Sequence, residues 1–240
     1  MKTIFLTFSL MFTAFFAFCQ TNSSKELTHS QERDVPNFTG IKVQNAITVE
    51  LFQRNSNSVT VFATDSDDQN KVITEVNDGI LNIKLESGNW GWSWKNKKIL
   101  VKVTIQTINF LEASGASQIK IINKLLSDDI KIKSTGASSI KGEIKSMNLS
   151  AGLSGASSIK ITGIAGNVEI KASGASSFKG YEFTCKEANI NLSGASNTNI
   201  NVLETLYAKA SGASSISYKG NPNVKESKNS GASSIKQHKD

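Results

Sequence analysis

Residues that could form a catalytic centre are few in this chain and lie far apart in its sequence. The two histidines, His29 and His238, stand near opposite ends of the 240 residues. The sequence holds no G-x-S-x-G nucleophile motif, no glycine-rich phosphate-binding loop and no pair of neighbouring cysteines. It therefore predicts no catalytic residue, no histidine metal site and no cofactor, and a carbohydrate-active enzyme is only a distant alternative.

Two pairs of adjacent carboxylates are the other candidates for metal binding. They are Asp67-Asp68 and Asp128-Asp129. A calcium-binding loop needs oxygen ligands at regular alternate positions, and neither pair belongs to such a series. We interpret both pairs as solvated turn residues, and no metal ligand is predicted.

Lysines give a stronger signal, because several of them recur at near-regular intervals. From Ala113 onward the chain has 16 lysines and 9 acidic residues, a net charge of +7, whereas residues 20–112 hold 10 basic and 11 acidic residues. Four lysines lie five residues after a recurring glycine: Lys120, Lys141, Lys160 and Lys179. Lys236 has the same place in a later repeat, and Asn199 and Ser217 take it in two others.

A row of aligned lysines has two interpretations. It would attract an acidic polymer, such as a surface polysaccharide, a lipopolysaccharide headgroup or extracellular DNA. It would also serve solubility, because exposed lysine on a sheet discourages edge pairing and aggregation. Specific nucleic-acid recognition is not expected, since no recognition motif or interleaved stacking aromatics accompany the lysines. The predicted ligand is an acidic polysaccharide or another surface glycan.

The three tryptophans of the chain, Trp90, Trp92 and Trp94, alternate along one short segment. In an extended segment they would share one face and form a flat aromatic surface suited to sugar rings or a partner protein. Gly88 and Gly91 favour a loop instead, whose rings would fold back over an end of the protein. Both interpretations stay open, and the three tryptophans join the four lysines as candidate ligand-binding residues.

A repeated Ser-Gly-Ala-Ser motif must position these side chains. Its glycines are separated by 21, 19, 19, 20, 18 and 19 residues. Four residues after the glycine the side chain is apolar in six of the seven copies, and preceding residues alternate, as in Val168-Glu169-Ile170-Lys171-Ala172. This period of two predicts strands with one buried face. The copies begin at Ser114, Thr135, Ser154, Ser173, Ser193, Ser211 and Ser230.

Each repeat has two short strands, which bury no core until copies stack and pair with their equivalents above and below. Glycine at the corner permits a positive φ, and the small Ala and Ser beside it let successive backbones approach closely. Helices are not expected, because Gly, Ser, Asn and β-branched residues oppose them. The predicted fold is all-β, a parallel β-helix-like solenoid of about seven coils of 18–21 residues. The glycines from Gly115 to Gly231 are expected to stack in one column.

The chain divides into four predicted segments. Residues 1–19 are typical of a removable secretory signal, with one early charge and an apolar run too short to span a membrane comfortably. Residues 20–34 are predicted as a flexible leader, residues 35–108 as a β-rich N-terminal part that leads into the stack, and residues 109–240 as the repeat solenoid. The chain is therefore expected in the periplasm, on the outer-membrane surface or outside the cell.

The two cysteines bear on anchoring. Bulky Phe18 before Cys19 disfavours lipidation of that cysteine, so anchoring as a lipoprotein is the lesser alternative. Cleavage of the signal leaves Cys185 as a lone cysteine in a strand-like stretch, where we expect it to be a buried apolar group.

The last repeat is more polar than the others. Lys225, Ser227 and Asn229 are expected at the positions that Ile130, Ile132 and Ser134 hold in an earlier coil. Residues 224–236 are therefore predicted to form a weakly buried terminal coil that caps the stack.

These motifs resemble the head GIN domain family of autotransporter adhesins, which are exported bacterial proteins. The resemblance covers roughly Phe38 to Lys236 and includes the serial Ser-Gly-Ala-Ser units. It also rests on Phe38-Thr39-Gly40-Ile41-Lys42-Val43, on Val76-Asn77-Asp78-Gly79-Ile80-Leu81-Asn82-Ile83 and on Tyr218-Lys219-Gly220-Asn221-Pro222. It implies a β-helical fold and a cell-surface role and supplies no catalytic residues, and the tryptophan segment is not part of the family pattern. Two functions stay open, a surface adhesin or binding module and a purely structural envelope protein.

Overall fold

The computed structural model describes residues 27–86, Gly88 and residues 98–238. The predicted signal with Cys19 and the three tryptophans lie outside these residues. The described chain is all-β, with strands and one short helix that follow in this order. They are β1 (His29–Arg33), β2 (Gly40–Val43), β3 (Thr48–Gln53), β4 (Ser58–Ala63), α1 (Ser66–Asn70), β5 (Val72–Asn77), β6 (Ile80–Leu85), β7 (Ile99–Ile105), β8 (Phe110–Ala113), β9 (Gln118–Ile121), β10 (Leu125–Ser134), β11 (Ser139–Leu153), β12 (Ser158–Ala172), β13 (Ser177–Leu192), β14 (Asn197–Ala210), β15 (Ser215–Lys219), β16 (Asn223–Asn229) and β17 (Ser234–Gln237).

The repeats form the predicted β-solenoid. Strands β10 to β14 follow one another as parallel neighbours, and equivalent residues pair in register from coil to coil. Apolar side chains alternate inward along each strand and form one continuous buried core. The position four residues after the glycine lies fully inside, from Ile119 through Phe178 to Ile216. Thr198 holds that position in one coil, where its buried hydroxyl has no hydrogen-bond partner.

The predicted glycine column is confirmed. A Cβ added to Gly155, Gly174 or Gly194 would lie 2.6–2.8 Å from the carbonyl oxygen of the glycine one coil below. Each of these glycines has a φ of about +70°, the left-handed region that glycine tolerates best. The backbones of successive coils therefore approach so closely at this corner that any side chain larger than that of glycine would collide.

The second serine of the motif has a role that residue size alone did not indicate. It is buried at nearly every corner, and its hydroxyl donates to the carbonyl oxygen three residues earlier, as Ser176 does to Ser173 over 2.9 Å. Several of these hydroxyls also lie within hydrogen-bond distance of a carbonyl in the preceding coil, as Ser138 does 2.8 Å from Ala113. These carbonyls give the buried serine hydroxyl the hydrogen-bond partner that a buried polar group requires.

The solenoid begins before the first Ser-Gly-Ala-Ser copy. Strands β2 and β3 pair in parallel with β8 and β9, and the corner between them is Asn45-Ala46, with φ of 65° and 60°. Strands β6 and β7 pair with the other edges of β2 and β3. Residues 35–108 therefore do not only lead into the stack but form its two N-terminal coils. The coil of β6 and β7 is the outer of the two, although it follows the coil of β2 and β3 in the sequence.

Antiparallel strands cover the N-terminal end of the stack. Strand β5 pairs with β6, β4 pairs with β7, and β1 pairs with β4. The structure differs here from the predicted flexible leader, because His29–Arg33 are a paired strand.

Neither aspartate pair lies in a turn, where the sequence had predicted both. Asp67 and Asp68 lie in α1 with Asp68 buried, and Asp128 and Asp129 lie in β10.

The C-terminal coil is weakly buried, as predicted, with β16 and β17 mostly exposed or half-buried. One predicted equivalence is wrong. Val224, not Lys225, pairs with Leu206 and so inherits the position of Ile130, because a bulge shifts the register between Leu206 and Tyr207. No helix in residues 27–86 and 98–238 has the length and apolar character needed to cross a bilayer.

Candidate functional site

Strand register brings the predicted lysines together. Lys120 pairs with Lys141, Lys141 with Lys160, and Lys160 with Lys179. The same line continues through Asn199 and Ser217 to Lys236. Neighbouring strands are ~4.8 Å apart, so the four residues Lys120, Lys141, Lys160 and Lys179 form a continuous strip, which we call the lysine row.

The lysine row is accessible and carries a net positive charge, and Glu50 lies beside Lys120 in the same line. Lys141, Lys160 and Lys179 are exposed, and Lys120 is half-buried. Among the residues that the structure describes, none of the four forms an ion pair. Two shallow grooves of about 480 and 250 Å³ lie along the row and share Lys160 and Thr162. Their linings contain the four lysines, Glu143 and Glu182, a net charge of +2.

A β-bulge at one end of the row places an aromatic side chain that sequence reasoning missed. The register between β13 and β14 shifts between Gly180 and Thr184, and Tyr181 lies in the shifted stretch. Its hydroxyl donates to Ser217 Oγ over 2.9 Å, and its ring stacks on His238 with centroids 5.2 Å apart. The bulge residues depend on the length of one coil, so the repeat period alone did not reveal them.

A second line of lysines provides an internal contrast. Lys133, Lys171, Lys209 and Lys228 each lie three residues before a motif glycine, and we call the last three the paired lysines. Lys171 contacts Glu169 at 2.6 Å, while Lys209 and Lys228 both contact Glu226, at 3.0 and 2.6 Å. Gly152 and Asn191 interrupt their line. Three of the four lysines at this repeat position therefore have a glutamate partner, while Lys133 Nζ lies 5.8 Å from the centroid of the Phe110 ring.

The tryptophan candidates cannot be placed, because residues 89–97 lie outside the described part. In the sequence they lie between β6 and β7. Four residues separate Val43 from Thr48 at the neighbouring corner, whereas sixteen separate their partners Ile83 and Leu100. The chain between Ile83 and Leu100 is therefore longer than its counterpart, and the part of the tryptophans in binding stays a prediction.

Another groove, which sequence reasoning missed, runs along the solenoid axis on a different side of the coils. One wall, which we call the amide wall, is formed by residues that stand seven positions before a motif glycine in the sequence. The other, which we call the mixed wall, is formed by residues that stand five positions before one. The amide wall consists of Asp129, Asn148, Asn167 and Glu187, and the mixed wall consists of Lys131, Ser150, Glu169, Asn189 and Tyr207. This axial groove encloses about 680 Å³. Counting backwards from each glycine would have revealed both walls.

Hydrogen bonds hold the amide wall in place. Asn167 Nδ2 donates to Asn148 Oδ1 over 2.8 Å, and Asn148 Nδ2 donates to Asp129 Oδ1 over 2.7 Å. In the mixed wall the hydrogen bond from Lys171 lowers the pKa of Glu169, so this carboxylate is ionised at neutral pH. The lining holds three carboxylates and one lysine, a net charge of −2.

Groups suited to catalysis or metal binding are sparse in the described residues. No cluster of three or more His, Cys, Asp or Glu side chains with metal-binding geometry occurs in residues 27–86 and 98–238. Cys185 is buried, as predicted, and burial raises the pKa of its thiol to about 12. The thiol is therefore protonated at neutral pH and is a poor nucleophile.

Comparisons with known proteins agree with this architecture. A family model described as "Putative auto-transporter adhesin, head GIN domain" matches residues 37–222. None of the curated proteins matches the chain.

Three solved structures of similar fold each align over 88% of this chain and 96% of their own. A "putative adhesin" from Bacteroides fragilis NCTC 9343 has a TM-score of 0.80 and 20% identity. A "putative adhesin" from Parabacteroides merdae ATCC 43184 has a TM-score of 0.71 and 16% identity. A "putative lipid binding protein" from Parabacteroides distasonis ATCC 8503 has a TM-score of 0.68 and 19% identity. At these identities the likeness shows a shared fold.

Proposed function

The chain belongs to the head GIN domain family of auto-transporter adhesins, and from this premise we propose that it is an exported, non-catalytic binding module whose lysine row holds an acidic polysaccharide. The observation that carries the proposal is the alignment of four accessible lysines without ion pairs. Membership of an adhesin family supports export and a cell-surface location.

Electrostatics gives the lysine row a reason to bind polyanions. Two unit charges ~4.8 Å apart repel each other by about 1 kcal/mol in water. The paired lysines relieve such repulsion with Glu169 and Glu226, but the lysine row lacks these partners among the described residues. An acidic chain lying along the solenoid axis would supply one negative group to each coil.

Two sources can present this anionic chemistry at a cell surface. One is an acidic polysaccharide, and the other is the anionic headgroup of a lipid. The description of one structural relative as lipid binding supports testing the second source. Both sources share carboxylate or phosphate groups, for which a lysine ammonium is a suitable point charge.

The proposal includes no chemical step. His238 stacks on Tyr181 and His29 lies in β1, so the two histidines do not share a site. The buried, protonated Cys185 thiol is also unsuited to nucleophilic attack.

Retention on coupled polysaccharides tests the proposal. Polygalacturonate resin should retain the protein at low salt and release it as salt rises, because the Debye length falls from ~30 Å at 0.01 M to ~3 Å at 1 M. Replacing the four lysines of the lysine row by serine should weaken retention about a hundredfold, since each lysine near an anionic surface contributes about 1 kcal/mol and not all engage at once. Lipopolysaccharide vesicles form the second arm and distinguish a headgroup from a free polysaccharide.

The paired lysines provide the matched control. Replacing the three paired lysines and Lys133, whose Nζ lies over the Phe110 ring, by serine removes the same charge from positions outside the lysine row, and retention should change little. A third variant with Trp90, Trp92 and Trp94 replaced by alanine measures the tryptophan contribution, which should be nearly independent of salt. Equal behaviour of wild type and all variants on both surfaces would contradict the proposal and favour a purely structural envelope protein.

A further inference from the structure

The axial groove has a chemistry unlike that of the lysine row. Its two walls supply amides, carboxylates and a serine hydroxyl, and its net charge is negative. Its floor consists of backbone and of the buried residues Ile130, Leu149, Val168 and Ala188. We infer that the axial groove is a second binding site, for an uncharged polysaccharide chain that lies along the solenoid axis.

The hydrogen-bonding groups of the walls match the hydroxyl groups of a sugar. A sugar hydroxyl both donates and accepts, and the amides of Asn148, Asn167 and Asn189 also offer both functions. The hydrogen bonds between Asn167, Asn148 and Asp129 fix the amide orientations before any ligand arrives. Such preorganisation reduces the entropy that binding would cost.

The charge of the axial groove selects against the ligand proposed for the lysine row. Asp129, Glu169 and Glu187 outnumber Lys131, so a polyanion would be repelled. Glu169 stays ionised because Lys171 stabilises its carboxylate. Carboxylates remain good acceptors for the hydroxyl groups of a neutral sugar.

An aromatic ring stands at one end of the mixed wall. Tyr207 pairs with Asn189 in strand register, and 40% of its surface is exposed. An exposed aromatic ring offers an apolar face on which the C–H face of a sugar ring can stack, while its hydroxyl stays in water. The aromatic ring therefore lies where a chain following the walls would meet it.

The period of the walls favours a polymer over a small molecule. Each coil contributes one residue to each wall, and the strands are ~4.8 Å apart, so the five residues of the mixed wall span ~19 Å. An extended chain would meet similar groups at every coil. The axial groove is also separate from the lysine row, because its lining shares no residue with the two grooves beside the row.

Affinity chromatography on four coupled neutral polysaccharides, galactomannan, xyloglucan, mixed-linkage β-glucan and α-mannan, tests this inference. At least one resin should retard the wild type, and the retardation should persist from about 0.05 M to about 0.5 M NaCl because no charge pairing is involved. Tyr207→Ala should weaken retention about tenfold, whereas Tyr207→Phe, which keeps the ring, should stay within about twofold of wild type. The double variant N148A/N167A should also lose about tenfold.

Two controls keep the inference separate from the proposed function. The variant with four serines in the lysine row should bind the neutral resin as wild type does, and Tyr181→Ala controls for loss of a tyrosine outside the axial groove. Circular dichroism checks that each variant is folded. Failure of all four neutral resins to retard the wild type would overturn the inference, as would equal retention of wild type, Tyr207→Ala and the double variant. Neither result would argue against binding of polygalacturonate by the lysine row.

Discussion

The lysine row and the axial groove are built from the same coils yet have opposite charge. The grooves beside the lysine row are lined by four lysines and two glutamates, and the axial groove by three carboxylates and one lysine. Lys160 and Asn167 even belong to one strand, β12. In-register stacking repeats whatever side chain stands at a given position, so each position becomes a strip with its own chemistry. The fold thus separates two kinds of surface without separate domains.

Both surfaces depend on the glycine column, because the corner sets the register on either side. Counted from the motif glycine, the lysine row lies five residues after it, and the walls of the axial groove lie five and seven residues before it. Coil lengths vary from 18 to 21 residues, and this variation falls between the two surfaces, where register shifts occur after Lys160 and Gly180. Disturbing a corner should therefore affect both surfaces.

The largest expected effect follows from filling the column at Gly174. A Cβ at this residue would lie 2.6 Å from the carbonyl oxygen of Gly155, and the φ of +70° disfavours any L side chain. Gly174→Ala should lower the free energy of unfolding by at least about 2 kcal/mol and weaken retention on both kinds of resin. Chemical denaturation measures the stability.

Gly152→Ala is the matched control for that change. Its φ is not in the left-handed region, and the nearest atom to an added Cβ is a flexible Lys133 methylene at 3.7 Å. Stability and retention should stay close to wild type. Equal destabilisation by the two substitutions would show that the column is not the special feature of the corner.

Sequence reasoning predicted the parts that depend on local period and spacing. The Gly174 corner and the alignment of Lys141 with Lys160 follow from the repeat counted forward from glycine, and the alternation along β12 follows from the apolar residues that precede Gly174. The axial groove was missed because its walls are constant only when counted backwards. Tyr181 was missed because a bulge in one coil has no counterpart in the others.

Long-range pairing explains the other differences between sequence and structure. Strands β6 and β7 lie outside β2 and β3, although they follow them in the chain, and nothing local in the sequence specifies that order. The same holds for β1, which joins the edge of β4 over a separation of about 30 residues in the sequence. Such contacts depend on which edges remain free after the coils have stacked.

A smaller change should sharpen the contrast between the two surfaces. Asn199 lies next to Lys179 in the line of the lysine row, so Asn199→Lys extends the row by one residue. Binding to polygalacturonate should tighten about fivefold, since one lysine contributes about 1 kcal/mol near an anionic surface. Retention on neutral resin should not change. An unaltered or weaker affinity for polygalacturonate would mean that the polyanion does not bind along the whole lysine row.

The neighbouring residue Thr198 supplies an interior control. Its side chain is buried and its hydroxyl lacks a hydrogen-bond partner, so Thr198→Val should raise the free energy of unfolding by about 1 kcal/mol. Retention on both resins should remain that of wild type, because the outward strips are unaltered. Asn199→Lys should do the opposite and change binding with little effect on stability.

The most direct test of two separate surfaces is a competition measurement on one sample. Labelled polygalacturonate is titrated into the protein at low salt, alone and with a saturating amount of the neutral polysaccharide that retards it most. Two separate surfaces should give the same Kd for polygalacturonate in both titrations, and polygalacturonate alone should be released when salt rises to about 0.5 M. Displacement of polygalacturonate by the neutral polysaccharide would contradict the assignment of two surfaces, because it would place both ligands on one surface.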